Sequence, residues 1–201
     1  REIVKKCGAC LVWGGGFNLA PADDKILKVT YPLSLEPYDK MIVSIMAKKI
    51  ATSVTHLVID MPIGATTKID NLQQAKEIKR KFQYIAKKYG MKLEVIITKD
   101  PDPVGKGVGP ALEARDVLRV LQQKDNRPVD LENKSIRLAG RLLELCGKAG
   151  KGHGEAMACK QLKSGLAWGK MSEIIKAQGG KANVDSEEVT LGAIKHYVTA
   201  D

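Results

Sequence analysis

His56-Leu-Val-Ile-Asp-Met61, Lys92-Leu-Glu-Val-Ile-Ile-Thr98 and the charged stretch from Asp70 to Tyr89 between them decide the fold. Both short runs are apolar and of strand length, and the first is closed by Pro62 and Gly64. The intervening stretch reads as one long helix, with Asp70 expected as its cap and Gly90 as its stop. Strand, helix and strand in this order make a βαβ unit, whose crossover is right-handed. Strands this apolar belong in a parallel sheet covered by helices on both faces.

Working outward, Asp39 to Val54 carries Met41, Ile42, Ile45, Met46 and Ile50 at helical spacing. Further upstream, Ala9-Cys-Leu-Val-Trp13 reads as a short strand before Gly14-Gly-Gly16, and Ile26 to Val29 as another. Arg1-Glu-Ile-Val-Lys-Lys6 resembles the tail of an amphipathic helix. Downstream, the Gly- and Pro-rich loop Asp100 to Gly109 leads to Pro110, which opens a helix over Ala111 to Gln122. After Asn126-Arg-Pro128 three more helices are expected, over Asp130–Cys146, Gly154–Ser164 and Trp168–Gln178. The expected fold is α/β, with a partial, mostly parallel sheet covered by helices and a helical C-terminal half. Residues 1–128 would form the α/β core, with helix 39–54 placed there or in a helical lobe, and 129–201 a mainly helical continuation of the same domain.

The chain has 201 residues, 44% hydrophobic and 28% charged, which is enough for a real core and unlike a disordered chain. Its apolar runs are far shorter than a membrane span, and no signal-peptide pattern opens it, so a cytoplasmic protein without a membrane partner is expected. The net charge of +10 invites a nucleic-acid reading. Against it, aromatic residues are only 4%, so stacking platforms are scarce. Many lysines lie between Lys76 and Lys88, where a solvated helix face is the simpler account, and anionic small molecules suit the charge equally well. Cys7-Gly-Ala-Cys10 is a C-x-x-C, but Cys146 and Cys159 do not form the second close pair of a zinc site. No metal or cofactor is expected, and the thiols are expected to be buried.

Ser44 and Lys48 are four apart on the helix 39–54 and so share a face. They either grip a polar small molecule or sit on a wet surface. Glu36, just before that helix, is a helix-end charge or a general acid. In an open α/β sheet ligands bind beyond the carboxyl ends of the strands. Pro62-Ile-Gly-Ala-Thr-Thr-Lys68 is such a loop, with hydroxyls and a cation that could close on a phosphate or a base oxygen. Gly105-Lys-Gly-Val-Gly109 is another, but its spacing matches neither a dinucleotide fingerprint nor a P-loop, so a structural turn is preferred.

Four segments then occur in a telling order: Leu19-Ala-Pro-Ala-Asp23, Ser44-Ile-Met-Ala-Lys-Lys49, Val58-Ile-Asp-Met61 with Gly64, and Gly109-Pro-Ala-Leu-Glu-Ala-Arg115. The chain resembles the thymidine/pyrimidine-nucleoside phosphorylase family. Trp13-Gly-Gly-Gly16, Leu19-Ala-Pro-Ala-Asp-Asp24 and Tyr31-Pro-Leu-Ser-Leu35 are most similar to its archaeal branch, the AMP phosphorylases. The resemblance implies phosphorolysis of an N-glycosidic bond, with AMP or another nucleoside monophosphate and phosphate as substrates, and a homo-oligomer. By the same resemblance Ser44 and Lys48 would contact the base and Lys68 the nucleotide. Glu36 would be the proton donor, standing where the archaeal branch has an aspartate, its carboxylate displaced by one methylene, roughly 1.5 Å. Lys28-Val-Thr30 stands where the pyrimidine branch has an arginine, which points away from thymidine. The family's glycine-rich phosphate loop would fall upstream of Arg1, so these residues are expected to be an internal, by itself inactive, part of the enzyme.

Overall fold

The computed structural model describes residues 2–12, 19–30, 32–33, 38–65, 67–99 and 103–192. They fall into two compact units, one made of Leu11–Pro103 with Arg137–Ala158, the other of Arg1–Cys10, Val104–Ile136 and Cys159–Asp201. Among the described residues there are eight α-helices: α1 (Glu2–Cys7), α2 (Pro21–Thr30), α3 (Tyr38–Ala51), α4 (Leu72–Lys88), α5 (Pro110–Leu121), α6 (Val129–Leu145), α7 (Gly154–Lys163) and α8 (Leu166–Ala177). Strands β1 (His56–Pro62) and β2 (Lys92–Thr98) pair in parallel, His56 opposite Lys92 and Pro62 opposite Thr98. The fold is α/β with a small parallel sheet.

In the unit built on the sheet, α4 is the crossover. Asn71, not Asp70, is its cap: the Asn71 side chain accepts from the Gln74 amide at 3.0 Å. The Asp70 amide instead donates to the Gln74 side chain at 3.1 Å, so the start is stapled from both sides. Ala75, Ile78, Phe82 and Ala86 form its buried stripe, three or four residues apart. The helix ends at Gly90, whose φ of +65° lets the Met91 amide reach back to the Ala86 carbonyl at 2.9 Å. Phe82 is 1% exposed and packs in one core with Ile42 and Met46 of α3, Met61 of β1, and Val95 of β2. Burying such a ring is worth about 1.5–3 kcal/mol. β1 is half-buried along most of its length, whereas β2 buries Val95, Ile96 and Thr98. Cover on both faces therefore holds for β2 better than for β1.

Two expected strands are not found among the described residues. Ile26 to Val29 lies inside α2. Pro21 opens that helix, Asp23 and Asp24 complement its N-terminus and Lys28 its C-terminus, and these signals override the β-branched Ile26 and Val29. Residues 9–12 are irregular, with Leu11 and Val12 more than half exposed, while Trp13 to Gly16 lie outside the described residues. The helix expected over 39–54 is α3, and it stops at Ala51. Ser53 adopts φ +57°, and its amide and that of Val54 bond to the carbonyls of Ile50 and Lys49 at 2.9 and 3.0 Å, closing the helix.

In the other unit α1 packs on α8, and α5 packs on a short 3-10 turn at Ser186–Glu188. Arg119 of α5 holds Glu187, and Lys124 holds Asp185 at 2.6 Å. Among the described residues no helix is long and apolar enough to cross a membrane.

Candidate functional site

Ser44 and Lys48 meet on a residue that the sequence reading had not singled out. Ser44 Oγ donates to Asp23 Oδ2 at 2.8 Å, and Lys48 Nζ lies 3.1 Å from the same oxygen. Asp24 Oδ1 adds a second contact to Lys48 at 3.5 Å. Asp23 is buried, at 7% exposure, whereas Lys48 keeps a quarter of its side chain in solvent. The hydrogen bond to Asp23 holds the Lys48 ammonium protonated above its usual range, against a smaller opposing effect of burial. A charged carboxylate is tolerated in this place because it sits in the first turn of α2, where unpaired backbone N–H groups favour negative charge.

A buried carboxylate thus holds a hydroxyl and an ammonium on one face of α3. The signal was available: Asp23 lies within Leu19-Ala-Pro-Ala-Asp23, one of the segments carrying the family resemblance. Nothing in the spacing places it against Ser44, because the contact spans 21 positions.

Beside Asp23 a cleft of about 710 Å³ runs between α2 and α3, lined by Leu19, Pro21, Ile26, Val43 and Ala47 among others. Val43 and Ala47 are one residue round the helix from Ser44 and Lys48, and neither Ser44 nor Lys48 lines the cleft. Asp23 itself lines the cleft, which therefore adjoins the polar contacts of Ser44 and Lys48.

Lys68 lies in the exposed part of the loop after β1. That loop is pinned from inside. The Ile63 amide donates to Thr98 O at 2.8 Å, the Gly64 amide to Ile69 O at 3.1 Å, and Thr67 Oγ1 lies within 3.0 Å of both the Gly64 and Ile69 carbonyls. The Thr67 hydroxyl is therefore used by the loop itself, and the Lys68 side chain is exposed. Glu36 lies outside the described residues, as does Thr66.

The second glycine loop is structural, as expected. The Gly105 amide donates to Asp130 at 2.8 Å, the Lys106 and Gly107 amides to Asp116 Oδ2 at 2.7 and 2.8 Å, and the Gly109 amide to Glu113 at 3.0 Å. The chain's own carboxylates take the place an anion would have. The Gly105 bond holds the Asp130 carboxyl below its usual range.

Cys10 and Cys146 are exposed and Cys7 and Cys159 half-buried, all as free thiols, so the expectation of buried thiols is corrected. Among the described residues no group of three or more His, Cys, Asp or Glu side chains is placed to hold a metal ion. Most of the cations of α4 are exposed; Lys81 pairs with Asp39 and Lys79 donates to Val95 O at 3.0 Å.

A parallel βαβ core, with a serine and a lysine of α3 held by a buried carboxylate of α2, defines an α/β protein. No family model matches the chain. It is 43% identical over 192 residues to the AMP phosphorylase of Methanosarcina acetivorans, covering 96% of this chain and 38% of that protein. It is 47% identical over 192 residues to the AMP phosphorylase of Thermofilum pendens, 96% of this chain and 36% of that one. A Rhodopseudomonas palustris protein named "Putative thymidine phosphorylase" is 45% identical over 179 residues, 89% of this chain and 35% of that one. Over nearly its whole length the chain is similar to AMP phosphorylases and to proteins named putative thymidine phosphorylase. It spans less than half the length of the curated relatives it matches.

Proposed function

We propose that the protein to which these residues belong is a phosphorylase that cleaves the N-glycosidic bond of AMP with phosphate, releasing adenine and ribose 1,5-bisphosphate. The observation that carries this reading is the convergence of Ser44 and Lys48 on Asp23, at the positions where the family resemblance puts the base contacts. Names of relatives that pair this stretch with AMP phosphorylases add support.

In this reaction a phosphate oxygen forms the new bond to C1′ of the ribose as the bond to the base breaks. The electron pair of the broken bond leaves with the base, which takes up a proton. Ser44 and Lys48 would hold the base, with Lys48 stabilising the charge that develops on it. Lys68 would reach the nucleotide, and Glu36 would supply the proton. The protein would act in the cytoplasm and as a homo-oligomer.

The test is phosphate-dependent release of adenine from AMP by the protein at the full length of its relatives. Absence of phosphorolysis with AMP, CMP, UMP or any nucleoside ends this proposal. A second reading, a thymidine or pyrimidine-nucleoside phosphorylase, is favoured by the relatives carrying the thymidine phosphorylase name. Faster turnover of nucleosides than of their monophosphates would select it.

A further inference from the structure

A lysine ammonium rides on a flexible four-carbon stem, so the region it can reach is set by the backbone that carries it. Lys68 is exposed, yet the residues on both sides of it are held. Ile69 is buried, and its carbonyl accepts from the Gly64 amide at 3.1 Å. Thr67 is tied twice. Its amide donates to the Gly64 carbonyl at 3.1 Å, and its Oγ1 lies 3.0 Å from the Gly64 carbonyl oxygen and 2.9 Å from that of Ile69. A hydroxyl has one hydrogen to give, so the two carbonyls share it. Gly64 and Ile69 stand at the two ends of the loop, and this one side chain spans its mouth. The mouth is anchored to the sheet in turn. The Ile63 amide donates to the carbonyl of Thr98, and the hydroxyl of that buried residue donates to Asp60 Oδ1 at 3.0 Å.

We infer that Thr67 is a positioning residue for Lys68: by closing the loop across the Gly64 and Ile69 carbonyls, its hydroxyl holds the Lys68 backbone where the ammonium meets the nucleotide. The inference rests on the reading of Lys68 as a nucleotide contact and adds the group that places it. Thr67 itself need touch no ligand. Valine in its place keeps the branched shape but turns a methyl group toward the two carbonyls, and the mouth of the loop loosens. Serine keeps the hydroxyl and loses only the methyl.

Equilibrium binding of AMP to the full-length protein tests it by calorimetry, with Thr67→Val, Thr67→Ser, Lys68→Met and the double variant Thr67→Val/Lys68→Met beside the unsubstituted protein. Thr67→Val should weaken binding about fivefold or more, the worth of one hydrogen bond. Thr67→Ser should keep most of the affinity. In the Lys68→Met background Thr67→Val should add little, because the group it positions is gone. A Thr67→Val protein of undiminished affinity overturns the inference. So does a Thr67→Ser protein as weak as Thr67→Val, or a Thr67→Val effect as large without the lysine as with it. Should circular dichroism show Thr67→Val unfolded, Thr67→Ala takes its place under the same criteria. A Lys68→Met protein that binds AMP as before defeats the reading of Lys68 and the role of Thr67 with it. Weakened binding in Lys68→Met beside unchanged binding in Thr67→Val defeats the role of Thr67 alone. Adenine release followed on the same samples keeps the reaction separate: the expected binding pattern without release defeats phosphorolysis and leaves Thr67 standing.

Discussion

Arg119 clasps Glu187 with two parallel hydrogen bonds, Nε to Oε1 at 2.7 Å and Nη2 to Oε2 at 2.9 Å. This planar fork is the geometry in which a guanidinium and a carboxylate bind best. It draws the Glu187 carboxyl down from its ordinary value to about 2. Because the folded value lies below the unfolded one, the clasp stabilises fully above the ordinary carboxylate range and is lost as pH falls toward 2. Amides around Ser186 should therefore exchange faster as pH drops from roughly 4.5 to 2, once corrected for intrinsic rates. Asp185 and Glu188 have lowered values as well, through bonds to the Glu187 amide and to Lys181 respectively, and reinforce the trend. Glu187→Gln should flatten much of the pH dependence. An unaltered profile would show the clasp to be dispensable.

Asp116 holds the turn before α5 from below. Its Oδ2 accepts from the Lys106 and Gly107 amides, and the residue is 2% exposed. Asp116→Ala leaves both amides without an acceptor in a place water reaches poorly, a loss of about 2–4 kcal/mol. Asp116→Asn keeps one accepting oxygen and should cost less. Urea midpoints of the two variants give the comparison, and equal midpoints would refute it.

Gly140 and Gly154 let α6 and the start of α7 touch backbone to backbone. A Cβ on Gly154 would lie 2.0 Å from the Gly140 carbonyl oxygen. Glu144 secures the same place by accepting from the Gly152 and Gly154 amides, both at 3.0 Å. Gly154→Ala should cost about 3 kcal/mol, the upper range for overpacking, because the obstacle is backbone and cannot rotate away. Thermal melting should show a drop of several degrees; a wild-type melting temperature would contradict the contact.

Ser53 and Gln123 are the described non-glycine residues with positive φ, at 57° and 53°, and each closes a helix. Glycine removes the steric penalty there, worth about 1 kcal/mol. The two sites should respond differently. Gln123 donates from its side chain to Val120 O at 2.8 Å, a bond glycine would forfeit. Ser53→Gly is expected to stabilise by about 1 kcal/mol and Gln123→Gly by clearly less, measured by chemical denaturation. The opposite order would rule out this account.

The amino-acid sequence by itself determined the elements whose signals are local. β1 and β2 are apolar runs bounded by turns, α4 carries a stripe at helical period and a glycine stop, and the helices from Pro110 onward have starts and stops that need no partner to be read. It also carried the resemblance to the phosphorylases, because four motifs in one order survive without any geometry. Where two local signals competed, as in α2, the apolar run misled and Pro21 with its acidic first turn decided. Only the tertiary structure could place Asp23 against Ser44 and Lys48, because that contact joins two helices across 21 positions, which no periodicity encodes. The same is true of the carboxylates of Asp116 and Asp130, which occupy the glycine loop from 9 to 25 residues away and turn an apparent anion site into a structural one. Periodicity records which face of an element is buried; which polar groups meet there depends on the packing of elements distant in the chain.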